Sequence, residues 1–556
     1  MAPLPLATRS LRPLLSFLGF VLLFLAGPVL SAQDSLGARP FRVAFDLSKP
    51  QGIDGPWQAV QVVVGASVFY VYPGGIWESN ILNSTVCEEF IGQYCTTEVY
   101  EQHKSKTYDK IFQDMQMKGT MEDRYIHNVY RRTATHLDTM YVPEAYGSGV
   151  AGIESANVSI RLIQKSSVHY PGPGGKAYST DLGALSLGSP DDYHVWEPWK
   201  GHFILNELEL SGRIPSRTVG LHYGSVSLKQ EGSLVLGGYD PSRVVGRAYA
   251  YDFGKDVLQI RLNGITHGVG LGISPDPGFK NGTKYDTQYI NVMLNPTLPY
   301  MYLPRAMCEA MTDGLPVTFD ADTGLYLWDT EDPMYEKLVK SPAYIGFNFP
   351  GQGSKPNTIK IPLALFDLKL EPPLKRVTTP YFPCRPSTED ENSPFTLGRS
   401  FLQGAYLGLN WHQKKFWLAQ APGPDSGATD VQPLDKTALE LMSTSDNTWE
   451  SSWLNHWNVT QDAENPVDLD EISKPGSSSS DSASSSEKKN GLSTGALIGI
   501  SVTAVIVAVA CLGIIGVCWW KSQKRKQLVQ AAIMSTEGEK YTYRPEDHYT
   551  DGVDYH

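Results

Sequence analysis

The stretch IPSRTVGLHYG (214–224), followed seven residues later by GSLVLGGYDPSRVVG (232–246), decides how the rest of the chain is read. GSLVLGG is an apolar run closing on two glycines and Tyr-Asp-Pro, the pattern of a strand entering a turn. Gly237 and Gly238 therefore read as hairpin geometry and not as a phosphate cradle. Runs of the same kind recur on both sides: WQAVQVVVG (57–65), VSIRLIQ (158–164), VLQIRLNGI (257–265), INVML (290–294), LYLW (325–328), YLGLNW (406–411) and KFWLAQ (415–420). Gly, Pro, Asn and Asp punctuate them, long helical periodicity is absent, and short helices are expected at 304–312 and 332–340. Regular helix–strand alternation is missing, which argues against a doubly wound sheet. Residues 40–420 thus read as one β-rich body.

The two ends place that body outside a membrane. Arg9 and Arg12 precede an apolar run from Pro13 to Leu30, and the small residues Ser31 and Ala32 follow. This order is that of a cleaved signal peptide over 1–32. Asn490 to Trp520 is a run of 31 residues without a charge. About 20 apolar residues cross a bilayer, so 495–520 reads as a transmembrane helix. Lys521, Lys524, Arg525 and Lys526 follow at once, which puts 521–556 in the cytosol and gives a type I single-pass orientation. The expected location is the cell surface or a secretory-pathway membrane. The net charge of −12 excludes a nucleic-acid partner, which would require a basic surface.

Cys511 and Cys518 lie in the span, leaving Cys87, Cys95, Cys308 and Cys384 outside. An even number in an oxidising compartment predicts two disulfides, and spacing favours Cys87–Cys95 and Cys308–Cys384. Four glycosylation sequons fit the same compartment: Asn83, Asn157, Asn281 and Asn458. Residues 421–494 hold 13 acidic and 4 basic residues and include a Ser-rich tract, the composition of a solvated stalk. Within it Trp449, Trp453 and Trp457 form one stripe at helical spacing. The stripe either packs on the body or meets a membrane or cleft. No metal-ligand spacing, phosphate loop or Ser nucleophile elbow is present, so neither metal nor cofactor is implied.

Several segments together resemble a known family. The opening stretch and its partner are similar to those of the pepsin-like aspartic peptidases, in particular their fungal, membrane-anchored branch. WQAVQVVVG resembles that family's first strand, YGSGVAG (146–152) its flap, and DLGALSLG (181–188) the strand closing its first lobe. LPYMYLP (298–304) resembles the turn into a second-lobe helix, and FTLGRSFLQGAYLGLNWHQKKFWLAQ (395–420) the final hairpins. The resemblance implies two β-lobes, about 40–228 and 229–420, around a long cleft. It makes Tyr146 and Gly147 the flap residues.

The family's chemistry needs two carboxylates sharing one proton, each in an Asp-Thr/Ser-Gly turn after an apolar strand. Both positions depart from that pattern. After VFYVY (68–72) come Pro73, Gly74 and Gly75, and after INVML come Asn295, Pro296 and Thr297. Pro73 has no side-chain oxygen, and an amide cannot act as a general base. Glu78 follows the nearby Trp77 and is expected to point elsewhere. Asp322-Thr323-Gly324 is the one literal Asp-Thr-Gly, but its neighbours read as two short strands and a turn.

These readings imply a membrane-anchored, cell-surface aspartic-peptidase homologue without catalysis, whose cleft holds an extended peptide or wall polymer. An active aspartic endopeptidase is the first alternative. A sensor signalling through Tyr541, Tyr543, Tyr549 and Tyr555 of the tail is the second. The orientation has a direct test. Protease added to intact cells should leave a tag fused after His556 untouched, and loss of that tag would reverse the topology.

Overall fold

The computed structural model describes residues 37–473, apart from 87–97, 109–123, 127–128, 146–151, 172–175, 192, 197–198, 255–257, 280–281, 283, 286–288, 354, 388–393 and 444–447. The signal segment, span and tail lie outside the described residues, as do Cys87, Cys95, Tyr146, Gly147 and Asn281. No described helix is long and apolar enough to cross a membrane. Strands account for 44% and helices for 14%, so the body is mostly β-sheet.

Sheet membership divides along the chain. A ten-stranded sheet takes all its strands from residues 60–202. Its long strands Val129–Pro143 and Gly152–His169 also pair with each other and close part of the sheet on itself. A five-stranded and two four-stranded sheets take theirs from 259–397. The six-stranded antiparallel sheet draws on both ends, in the order Phe41–Val43, Ser233–Leu236, Thr218–His222, Ala405–Asn410, Lys415–Gln420, Val245–Asp252. The two strands of the opening stretch are neighbours here, with Val219 opposite Leu236 and Leu221 opposite Leu234. Every residue of both is buried. Strands covered on both faces read as continuous apolar runs, which is why their alternation in the sequence is weak.

Both expected helices form, as Arg305–Thr312 and Pro333–Val339. Cys308 in the first is disulfide-bonded to Cys384, with Cα atoms 5.6 Å apart across 76 residues. Of the sequons described, Asn157 and Asn458 are exposed, whereas Asn83 is 6% exposed. Its side-chain oxygen accepts from the Thr85 N–H at 3.1 Å.

The stalk begins later than its composition suggests. Residues 421–443 and 448–473 are placed against the body, and Trp449, Trp453 and Trp457 are 4%, 1% and 6% exposed. Gln432–Pro433 pairs with Gly238–Tyr239, and the Asn458 N–H donates to Lys340 O at 2.7 Å. Trp453 and Trp457 stack with centroids 5.5 Å apart, and Lys360 lies 4.7 Å from the Trp449 ring. The boundary at 420 is therefore corrected to about 473. The composition misleads because acidic residues such as Asp430, Asp435 and Glu440 are exposed while the indoles face in. The stripe is built on a 3-10 helix, Ser451–His456, with Trp449 before it and Trp457 after it, and not on an α-helix.

Removing a large buried aromatic costs about 3–5 kcal/mol. Trp453→Ala should therefore lower the unfolding free energy of the full chain, read from its urea midpoint, by an amount in that range. A stalk tryptophan in solvent would leave the midpoint unchanged.

Candidate functional site

Two strand ends meet at the middle of the molecule. Ser67–Gly75 runs parallel to Gly183–Ser186, with Pro73 opposite Leu185. Ile290–Leu294 runs parallel to Thr396–Leu397, with Leu294 opposite Leu397. The same local construction thus occurs twice, once in each set of sheets. The segments that follow touch. A Cβ built on Gly74 would stand 2.7 Å from Pro296 Cβ and 3.0 Å from Thr297 N, a contact only glycine permits. Tyr223, from the opening stretch, lies against both and is 1% exposed. Its hydroxyl is 2.6 Å from Pro73 O and 3.2 Å from Pro296 O, and donates to them.

The two expected degenerate positions are therefore adjacent. Pro73 is buried and belongs to the strand itself, which runs on to Gly75 instead of stopping at Tyr72. Asn295 is partly buried and its side-chain oxygen is already engaged. It accepts from Thr297 N at 3.0 Å and Thr297 Oγ1 at 2.7 Å, a local turn that leaves the group no free lone pair for a reacting proton. Glu78 is buried and paired with Arg161 at 2.8 Å. Asp322 is exposed in the hairpin turn between Val317–Asp320 and Leu325–Trp328. Thr323 there bonds Asp320 through both N–H and hydroxyl.

Three charged residues that sequence reasoning did not single out surround a cavity of about 50 Å³ beside this junction: Asp54, Asp181 and Arg399. Asp54 lies in the loop 51–57, closed by reciprocal bonds between Gln51 and Trp57 and tied to a distant strand by Lys369 N→Gly55 O at 2.7 Å. The Trp57 indole donates to Asp54 Oδ1 at 2.8 Å. Asp181 stands just before Gly183–Ser186 and accepts from Tyr72 OH and Leu182 N, both at 3.0 Å. Arg399 begins the short helix Arg399–Leu402 and is 2% exposed. Its guanidinium lies 3.7 Å over the Tyr72 ring and 4.9 Å from that of Trp57. Its Nη1 donates to Thr297 O at 2.8 Å.

The charges shape one another. Desolvation pushes the Asp54 carboxyl above the ordinary carboxylate range, the negative charge of Asp181 pushes it further, and Arg399 pulls it back. Burial holds the Tyr72, Tyr300 and Tyr381 phenols well above their usual range, so they stay neutral donors. The signals lie in the sequence, inside the quoted motifs. Asp181 opens DLGALSLG, Arg399 sits in FTLGRSFL and Tyr300 in LPYMYLP. What the sequence did not carry was that the loop holding Asp54 folds back onto them.

Asp54 favours its neutral form in the fold. That contribution to stability is present below the unfolded carboxylate value of about 4 and is lost as pH rises through the raised folded value. Asp54→Asn should therefore shift the thermal midpoint, relative to wild type, less unfavourably at pH 7 than at pH 4. Equal shifts at both would show that the carboxyl is not held protonated.

Searches of protein-family models and of curated protein sequences both return no match to this chain.

Proposed function

We propose that this chain is a membrane-anchored, cell-surface homologue of the pepsin-like aspartic peptidases that binds an extended chain in its cleft and does not cut it. The observation that carries this reading is the meeting of Pro73-Gly74 with Asn295-Pro296-Thr297. Two strands of matching construction deliver these segments to one point, as the resemblance expects of the catalytic turns. Among the described residues neither segment brings a carboxylate. The Asn295 amide is spent on its own turn, and Arg399 fixes a positive charge on the carbonyl of Thr297.

General acid–base catalysis by placed groups supplies about 10²–10⁴-fold in rate, and a shared-proton pair performs both halves. A proline and an engaged amide supply neither. The active-endopeptidase alternative would have to use Asp54 and Asp181. Both carboxylates are engaged away from one another, Asp54 accepting from the Trp57 indole and Asp181 from Tyr72 OH and Leu182 N, and a buried guanidinium lines the same cavity. The sensor alternative rests on the tail, which lies outside the described residues.

The test uses the full-length chain purified in detergent micelles. Incubated with a denatured protein between about pH 3 and 6, it should yield no cleavage, and neither should Asn295→Asp, since Pro73 still leaves the other side empty. The same preparation should bind a fluorescent extended peptide or a soluble wall-polymer fragment. Cleavage by the wild-type chain that Asn295→Ala abolishes would refute the reading.

A further inference from the structure

The cavity beside the junction has a chemistry of its own. It lies between residues far apart in the chain: Asp54, Asp181, Thr297, Tyr300 and Arg399 all line it. A carboxylate pair and a guanidinium share a space of about 50 Å³. One water needs about 10–15 Å³ of such space, so the cavity takes about four water-sized groups. That excludes a polymer segment or a large side chain, and it admits a molecule of about four to six non-hydrogen atoms.

Charge narrows the choice. A simple anion meets two carboxylates. A simple cation meets Arg399, whose guanidinium is 2% exposed and has its Nε without a partner. With both carboxylates ionised the three groups sum to −1, and with Asp54 protonated they sum to zero. A neutral molecule carrying both signs offers an ammonium to the carboxylates and a carboxylate to the guanidinium, so no buried charge is left opposed. Arg and carboxylate pair well in this way because the planar guanidinium matches two oxygens at once. The lining tyrosines add hydroxyl donors: Tyr72 already serves Asp181, and Tyr300 is 3.1 Å from the Tyr170 hydroxyl.

We propose that this cavity binds a small zwitterion, an α-amino acid of glycine or alanine size. The ammonium sits between Asp54 and Asp181, and the carboxylate on Arg399. The inference does not rest on the peptide-cleft reading, since it uses only the cavity's volume and charges. Binding an ammonium favours ionised Asp54, so uptake should release protons where Asp54 is still protonated in the empty cavity.

The experiment is isothermal titration of the full-length chain in micelles with glycine, L-alanine, L-leucine, methylamine and sodium acetate. Glycine and alanine should bind, with methylamine, acetate and leucine at least about tenfold weaker. In buffers of different ionisation enthalpy, the glycine signal, followed across acid pH, should report proton release. Asp181→Asn keeps the shape of the side chain and should weaken glycine by at least about tenfold. Arg399→Met removes the cation but also strips a buried network of its centre and risks unfolding it. The decisive variant is therefore Asp181→Asn, with a far-UV spectrum matching wild type. No glycine heat up to about 100 mM, methylamine binding as tightly as glycine, or an unchanged affinity in Asp181→Asn would each overturn the proposal. Peptide binding by the cleft is a separate readout and can succeed or fail on its own.

Discussion

One phenol holds the centre of the molecule together. The Tyr223 hydroxyl serves the carbonyls of Pro73, near the end of one strand, and Pro296, just beyond the end of a strand in a different sheet. Both carbonyls face a buried point, where an unsatisfied acceptor costs about 1–3 kcal/mol. Tyr223 can reach them because it directly follows the strand Thr218–His222, which lies inside the six-stranded sheet that takes members from both ends of the chain. The close approach of Gly74 to Pro296 follows, since the two carbonyls must come within reach of one oxygen. The turn of Asn295, the seat of Arg399 and the small cavity beside them all depend on that geometry.

Arg399 is the second organising element. A guanidinium 2% exposed needs partners, and it has them in a carbonyl, two aromatic faces and nearby carboxylates. Removing one member of such a set leaves a buried charge uncompensated, which is the expensive case. The group therefore acts as a fixed cation around which Asp54, Asp181 and Tyr72 are arranged.

Much of the fold was legible because strands and turns announce themselves locally. The runs at 218–222, 290–294, 405–410 and 415–420 form strands as their composition demands, and Pro304 and Asp332 mark the helix starts. That no carboxylate follows VFYVY or INVML directly was legible too, since it needs only the residues themselves. Asp54, Asp181 and Arg399 were not, because their meeting joins chain segments far apart in sequence and leaves no local pattern. Residues 421–473 failed for the opposite reason. Their composition gave a clear local signal of a solvated stalk, while three indoles outweighed it through burial. Average polarity is a poor guide where a few large apolar groups carry the packing.

The burial of those indoles also sets where the chain can be cut without exposing its core. Trp449, Trp453 and Trp457 rest against residues such as Gly270 and Tyr344, and the described backbone continues to 473. A protease that cuts after 473 leaves a body with its core intact. A cut before Trp449 detaches the strap and uncovers the apolar surface beneath it. The same enzyme thus yields a soluble, lasting fragment from one bond and an aggregation-prone remnant from another. The Ser-rich tract at 477–486 lies on the safe side of that line.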